Sequence, residues 1–462
     1  METYQIRLEM IQPPKKDCPG KPVLLTDETI QERAEKILCR MRERGLEQLI
    51  IYGDVEHAGN FEYLVGYFPR FEEGLLIIQK DGTMALILGN ENYNKASKAR
   101  VKADAFLCSM FSLPNQPQLS GKGLEEILRE VGVRSNVKTG LVGWKLFGGA
   151  PENKRTMFDI PCFIMDAVRS VVENDGMLSN ESDLFIGEGG ARITNNANEL
   201  AHYEYGASLA SDGMLDAMDR LEMGVQEQEL GGLLVRDGQH TNVVTIAASG
   251  PRFIKGNMFP TDNTVKVGDT ISMTVGYSGG LSSRAGYAVS CREELPEGAE
   301  DYLERVASPY FAAYAYWLEK IHIGMAGGEL YDGVEEILPK KQYGWTLCPG
   351  HLVAEAEWMS SPIYEGSKEP LLSGMLLQVD IIPSVPGYGG VSAESTVALA
   401  DDALKTEIQR QYPEMWERIQ QRRAYLKQVL GIAVSEDILP MCSTVAYLRP
   451  YLLDKTCALV KK

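Results

Sequence analysis

A chain of 462 residues is long enough for two or three domains. Its formal net charge of -18 argues against nucleic acid and anionic membrane as partners, because both are met by basic surface. Hydrophobic residues at 44% and charged residues at 24% are ordinary for a soluble globular protein, and no apolar run approaches the roughly 18 residues a membrane span needs. The eight cysteines form no C-x-x-C pair, a reduced, intracellular pattern. The first residues, Met1 to Met10, lack the apolar core of a signal peptide, so a cytoplasmic location is expected.

In chain order, Thr26 followed by Asp27 and Glu28 predicts a helix start. The apolar positions Ile30, Ala34, Ile37, Leu38 and Met41 continue it, and Gly45 closes it. Leu49 to Tyr52 reads as a buried strand. Two apolar runs around Asp81-Gly82, Gly74–Gln79 and Met84–Leu88, read as a hairpin. Gly123 to Val131 and Thr139 to Gly143 continue the alternation, which predicts a mixed sheet flanked by helices. Helical patterns follow at Ala197–Leu221, Gln226–Leu234 and Asp301–Ile321. Strand patterns follow at Asn242–Ala248, Thr270–Val275, Gly286–Val289, Met375–Ile382 and Ser395–Leu399. This order predicts an α+β domain with helices on one face of an antiparallel sheet. Ile408 to Val429 reads as one charged helix with a solvated face.

Residues 266–290 hold a turn at Gly268-Asp269, an apolar-rich strand, a Gly-rich turn at Gly279-Gly280 and a return strand. The segment resembles the metal-binding hairpin of the creatinase, aminopeptidase P, prolidase and methionine aminopeptidase family. Further likenesses are Arg42 to Leu46, Asn60 to Tyr67, Glu73 to Gly82, Ala191 to Ile193 and Asn198 to Leu200. Later ones are Pro349-Gly350-His351, Leu372 to Asp380 and Gly389 to Val397. Their order and spacing cover most of the chain. The resemblance implies an α/β N-terminal domain of the creatinase type, residues 1–174. A pita-bread catalytic-type α+β domain would follow at 175–403, with a helical C-terminal extension at 404–462 packed on it.

A dinuclear hydrolase needs hard carboxylate ligands and an imidazole. The resemblance puts the first hairpin carboxylate where this chain has Thr274, two residues before Gly276. The second falls in Ser283, Arg284 and Ala285, none of them acidic. His351 matches the family's Gly-His ligand. Asp380 stands for a glutamate ligand one methylene longer, and Glu394 for the bridging glutamate. Ser392 replaces an arginine, Trp358 a substrate-contacting histidine, and Met258, beside Asn257, a histidine before the Gly-Asp turn. The expected catalytic residues are therefore His351, Glu394 and Asp380. The expected substrate contacts are Thr274, Arg284 as a carboxylate clamp, Trp358 and Met258. Glu355 and Glu357 read as helix or loop surface, with substitute ligands as the other reading.

The cofactor expectation is none, or one divalent ion (Mn, Co or Zn) on His351, Asp380 and Glu394, and not a dinuclear site. The function implied is an altered Xaa-Pro aminopeptidase- or prolidase-type C–N hydrolase, mononuclear or metal-free in the manner of creatinase. The alternative is an inactive pseudo-peptidase that binds a small peptide or amino-acid-like ligand. The resemblance also implies a homodimer.

Overall fold

The computed structural model describes residues 4–116, 121–149, 154–251 and 259–462. Met258 lies outside the described residues. Among the described residues no helix is long and apolar enough to cross a membrane. The chain divides into two compact units, residues 25–193 and residues 1–24 with 194–462.

In the first unit, the Thr26 side chain accepts the N–H of Thr29 and Gly45 adopts the left-handed conformation, so helix Asp27–Arg44 starts and stops where its sequence signals lie. The sheet has six strands in the order Asp104–Leu107, Met84–Leu88, Gly74–Gln79, Gln48–Gly53, Thr139–Val142, Leu178–Asn180. The hairpin and its pairing to Gln48–Gly53 are antiparallel, and the outer pairings are parallel, as a mixed sheet requires. Helices Leu124–Glu130 and Cys162–Val172 bury Ile127, Leu128, Ile164 and Val168 in one core with Ile50 and Ile77. The boundary expected after residue 174 falls instead after 193, because Leu178–Asn180 adds an edge strand to this sheet.

The second unit is built on antiparallel pairs. One sheet joins Ile246–Ser249, Thr270–Tyr277 and Gly280–Tyr287. Another joins His351–Leu352, Leu376–Val379, Ser395–Leu399 and Ile438–Pro440. The bridge Ala285↔Ser392 ties them together. Helix Ala197–Arg220 opens with a capping box between Asn196 and Glu199 and packs on the Thr270–Tyr287 hairpin. The approach is backbone to backbone. A Cβ at Gly206 would fall 1.9 Å from the Ser278 carbonyl oxygen, and one at Gly279 (φ 109°) would fall 2.1 Å from that of Tyr203. The aromatic helix Ser308–Lys320 is core, with Tyr310, Tyr314 and Trp317 fully buried.

Two expectations for this unit change. The return strand is Gly280–Tyr287 rather than Gly286–Val289, because the Gly-Gly turn lets pairing begin at once. The C-terminal stretch is neither one helix nor wholly helical. Pro413, which has no N–H to continue a helix, separates Asp402–Gln411 from Pro413–Gln428. Beyond them Ile438–Pro440 joins a sheet, and Cys457–Lys461 pairs with Ile6–Met10. The second helix is also not merely a solvated face. Arg418 and Arg422 reach the buried Glu204 at 2.6 and 2.9 Å, and Arg422 is itself buried.

Candidate active site

Side chains two residues apart on a strand share a face. In the four-stranded sheet His351 lies opposite Gln378, and Val379 opposite Ser395. Asp380 and Glu394, one step beyond that last pair, therefore face each other on the side where His351 sits. All three are buried. The chain after His351 doubles back, the Leu352 N–H donating to the Ser360 carbonyl and the Met359 N–H to the Leu352 carbonyl in the loop's return. That turn carries Glu357 and Trp358 over the imidazole. Glu357 Oε1 is 3.1 Å and Asp380 Oδ2 3.9 Å from His351 Nε2. The Trp358 ring stacks on the imidazole with centroids 4.1 Å apart and planes 27° apart. Glu357 is thus at the site, where the sequence offered it as a substitute ligand or, more readily, as loop surface. The signal available was its position inside a loop too short to leave the histidine.

The electrostatics are those of crowded acids. Burial pushes Asp380 up to about 6, against the lowering effect of His351, and Glu357 adds to the rise. Burial, reinforced by the charges of Asp380 and Glu357, lifts Glu394 well above the usual carboxylate range. Asp380 and Glu394 hydrogen-bond to each other through a proton the pair shares, while Ser392 Oγ donates to Glu394 Oε1 at 3.3 Å. Burial alone would lower the His351 pKa, but Glu357 and Asp380 outweigh it and the net shift is upward. A carboxyl pair sharing a proton beside an imidazole can give and take protons at one spot without a metal.

On the hairpin, Thr274 lies directly opposite Ser283, and its hydroxyl donates to the Ser283 hydroxyl at 2.9 Å. Arg284 is a correction. It sits on the opposite face of the strand from Ser283 and is fully buried. Its five N–H donors go to the carbonyls of Tyr447, Ser283, Glu394 and Thr444 and to the Ser395 hydroxyl. Nothing is left to clamp a substrate carboxylate, so its role is to tie the hairpin to the Ser395–Leu399 strand and the 444–447 segment. The structure brings His351, Asp380, Glu394 and Trp358 together with Glu357; it does not bring Arg284's guanidinium to them.

These residues do not fit the metal the fold implies. The hairpin supplies two hydroxyls in place of carboxylates, and the remaining carboxyls are turned on one another and on His351. Among the described residues no group of three or more His, Cys, Asp or Glu could hold a metal ion.

The fold is the pita-bread fold that the resemblance led one to expect. Among solved structures, the chain is similar to an Xaa-Pro dipeptidase from Bacillus anthracis (17% identity, 81% of this chain and 96% of that one, TM-score 0.60). It is also similar to the prolidase from Pyrococcus furiosus (19%, 79% and 96%, TM-score 0.58). A third is the dipeptidase PepE from Mycobacterium ulcerans (14%, 81% and 94%, TM-score 0.61). No family model matches the sequence, and no curated protein matches it. At these identities the likeness establishes the fold, and the chemistry rests on the site.

Proposed function

We propose that the chain is a metal-independent pita-bread protein whose C-terminal site binds a small peptide or amino-acid-derived ligand. In this reading the cleavage for which its structural neighbours are named, that of an Xaa-Pro dipeptidase and a prolidase, is lost. The observation that carries it is the Thr274–Ser283 hydroxyl pair, 2.9 Å apart, where a dinuclear site needs carboxylates. A hydroxyl carries no charge at pH 7 and cannot offset a divalent ion. The homodimer and cytoplasmic location expected from the sequence belong to the same reading. A second reading, hydrolysis without metal, is favoured by the Asp380–Glu394 carboxyl pair beside His351.

Xaa-Pro dipeptides incubated with the protein in EDTA and in manganese test both readings. The expected result is no manganese-dependent release of proline. Slow release that resists EDTA selects the second reading. Release that manganese switches on overturns both.

A further inference from the structure

Asp104–Leu107 is an edge strand of the six-stranded sheet, paired to Met84–Leu88. Cys108 donates its N–H to the Leu88 carbonyl. Residues two apart in a parallel strand bond on the same side, so Phe106 also faces Met84–Leu88. Ala105 and Leu107 therefore turn their N–H and C=O groups away from the sheet. Asp104 is exposed and the next three residues are half-buried. Beside this edge lies a notch of about 100 Å³. Ala85 pairs with Ile77 on one side and Asp104 on the other, so all three line one face, and Phe106, two residues on, shares it. The notch exists because Ala85 is a bare methyl in that row. Val131, just past helix Leu124–Glu130, closes its far side, and Asp104 and Glu130 bring carboxylates to it. Glu130 pairs with Lys122, while among the described residues no ion pair holds Asp104.

We propose that this edge and its notch receive an extended segment of a partner protein, added as one more strand, with a basic side chain of that segment seated in the notch. The site lies within residues 25–193 and is independent of the C-terminal site. The outward groups of Ala105 and Leu107 would supply the ladder bonds, which give affinity without regard to sequence. The notch supplies the selection. An added strand would lie about 4.8 Å outside Asp104–Leu107, and so roughly 10 Å from Ala85. Long unbranched side chains cross that gap, and lysine and arginine lay an apolar stem on Ile77, Phe106 and Val131 while keeping the charged head at the rim. There the head meets Asp104. An acidic side chain would meet the same carboxylate and be repelled.

The test is fluorescence anisotropy of a labelled, end-capped peptide, Thr-Val-Arg-Val-Thr, titrated with the full chain. Companion peptides carry alanine or glutamate in place of the arginine. Asp104→Lys and Ala105→Pro are run beside wild type, each checked by its melting curve. The proline removes the outward N–H of Ala105 and spares the bonds to Met84–Leu88. The arginine peptide should bind, the alanine peptide about fivefold more weakly, and the glutamate peptide more weakly still. Ala105→Pro should weaken the arginine and alanine peptides alike, by about tenfold. Asp104→Lys, an exposed change that does not threaten folding, should reverse the preference, so that the glutamate peptide outbinds the arginine one. Arginine-peptide binding that neither substitution moves places the peptide elsewhere on the chain and overturns the proposal. Equal binding of the arginine and glutamate peptides to wild type overturns it too. Silence from the arginine peptide with protein at about 0.5 mM does the same, and leaves Asp104 as a charge that guards a sheet edge.

Discussion

Arg284→Met is expected to destabilise the protein by roughly 3–5 kcal/mol, the cost of leaving buried acceptors without their charged donor. The substitution keeps much of the side chain's volume and removes all five donors. The carbonyls of Ser283, Glu394, Thr444 and Tyr447 and the Ser395 hydroxyl would then be buried without them. Those acceptors lie on separate segments, so the loss should loosen the hairpin and the Ser395–Leu399 strand together. Arg284→Lys, with three donors on a flexible stem, should recover only part of the loss. Urea unfolding of the three proteins measures it. A loss below about 1 kcal/mol for the methionine variant would show that the guanidinium is not what joins these segments.

Gly206→Ala carries the second large effect, a loss of about 2–3 kcal/mol from overpacking. Alanine normally favours a helix interior over glycine, so propensity alone predicts the opposite sign. Here the added methyl would lie 1.9 Å from the Ser278 carbonyl oxygen and 3.2 Å from the Tyr277 Cβ. Helix Ala197–Arg220 would have to retreat from the hairpin that carries Thr274 and Ser283. Gly232→Ala is the control: that glycine is exposed in helix Glu227–Leu234 and a Cβ there meets nothing within 4 Å. It should stabilise by about 0.5–1 kcal/mol. Thermal or urea unfolding that finds the same sign at both positions would contradict the close helix–hairpin contact.

Much of the fold was legible because its signals are local. Thr26 and Gly45 bracket a helix, and Asp81-Gly82 turns a hairpin. The replaced ligands were legible too, since Thr274 could be read against the Gly-Asp turn. What escaped depends on contacts distant in sequence. Arg284 is one polar residue in a strand, and nothing local says that the 444–447 segment will offer it carbonyls. Glu357 reads as loop surface until the loop folds back on His351. The edge strand Leu178–Asn180 is three residues long, too short to show a period, so the boundary between the units moved.

The central claim is that this pita-bread site has given up its metal. Its most direct test is elemental analysis after the chain and its His351→Ala variant are loaded with manganese, cobalt and zinc and then dialysed. The account predicts no retained metal above the His351→Ala level, with unfolding midpoints unmoved by EDTA. Retention of about two ions per chain, as a dinuclear hydrolase requires, with loss in His351→Ala, would contradict it.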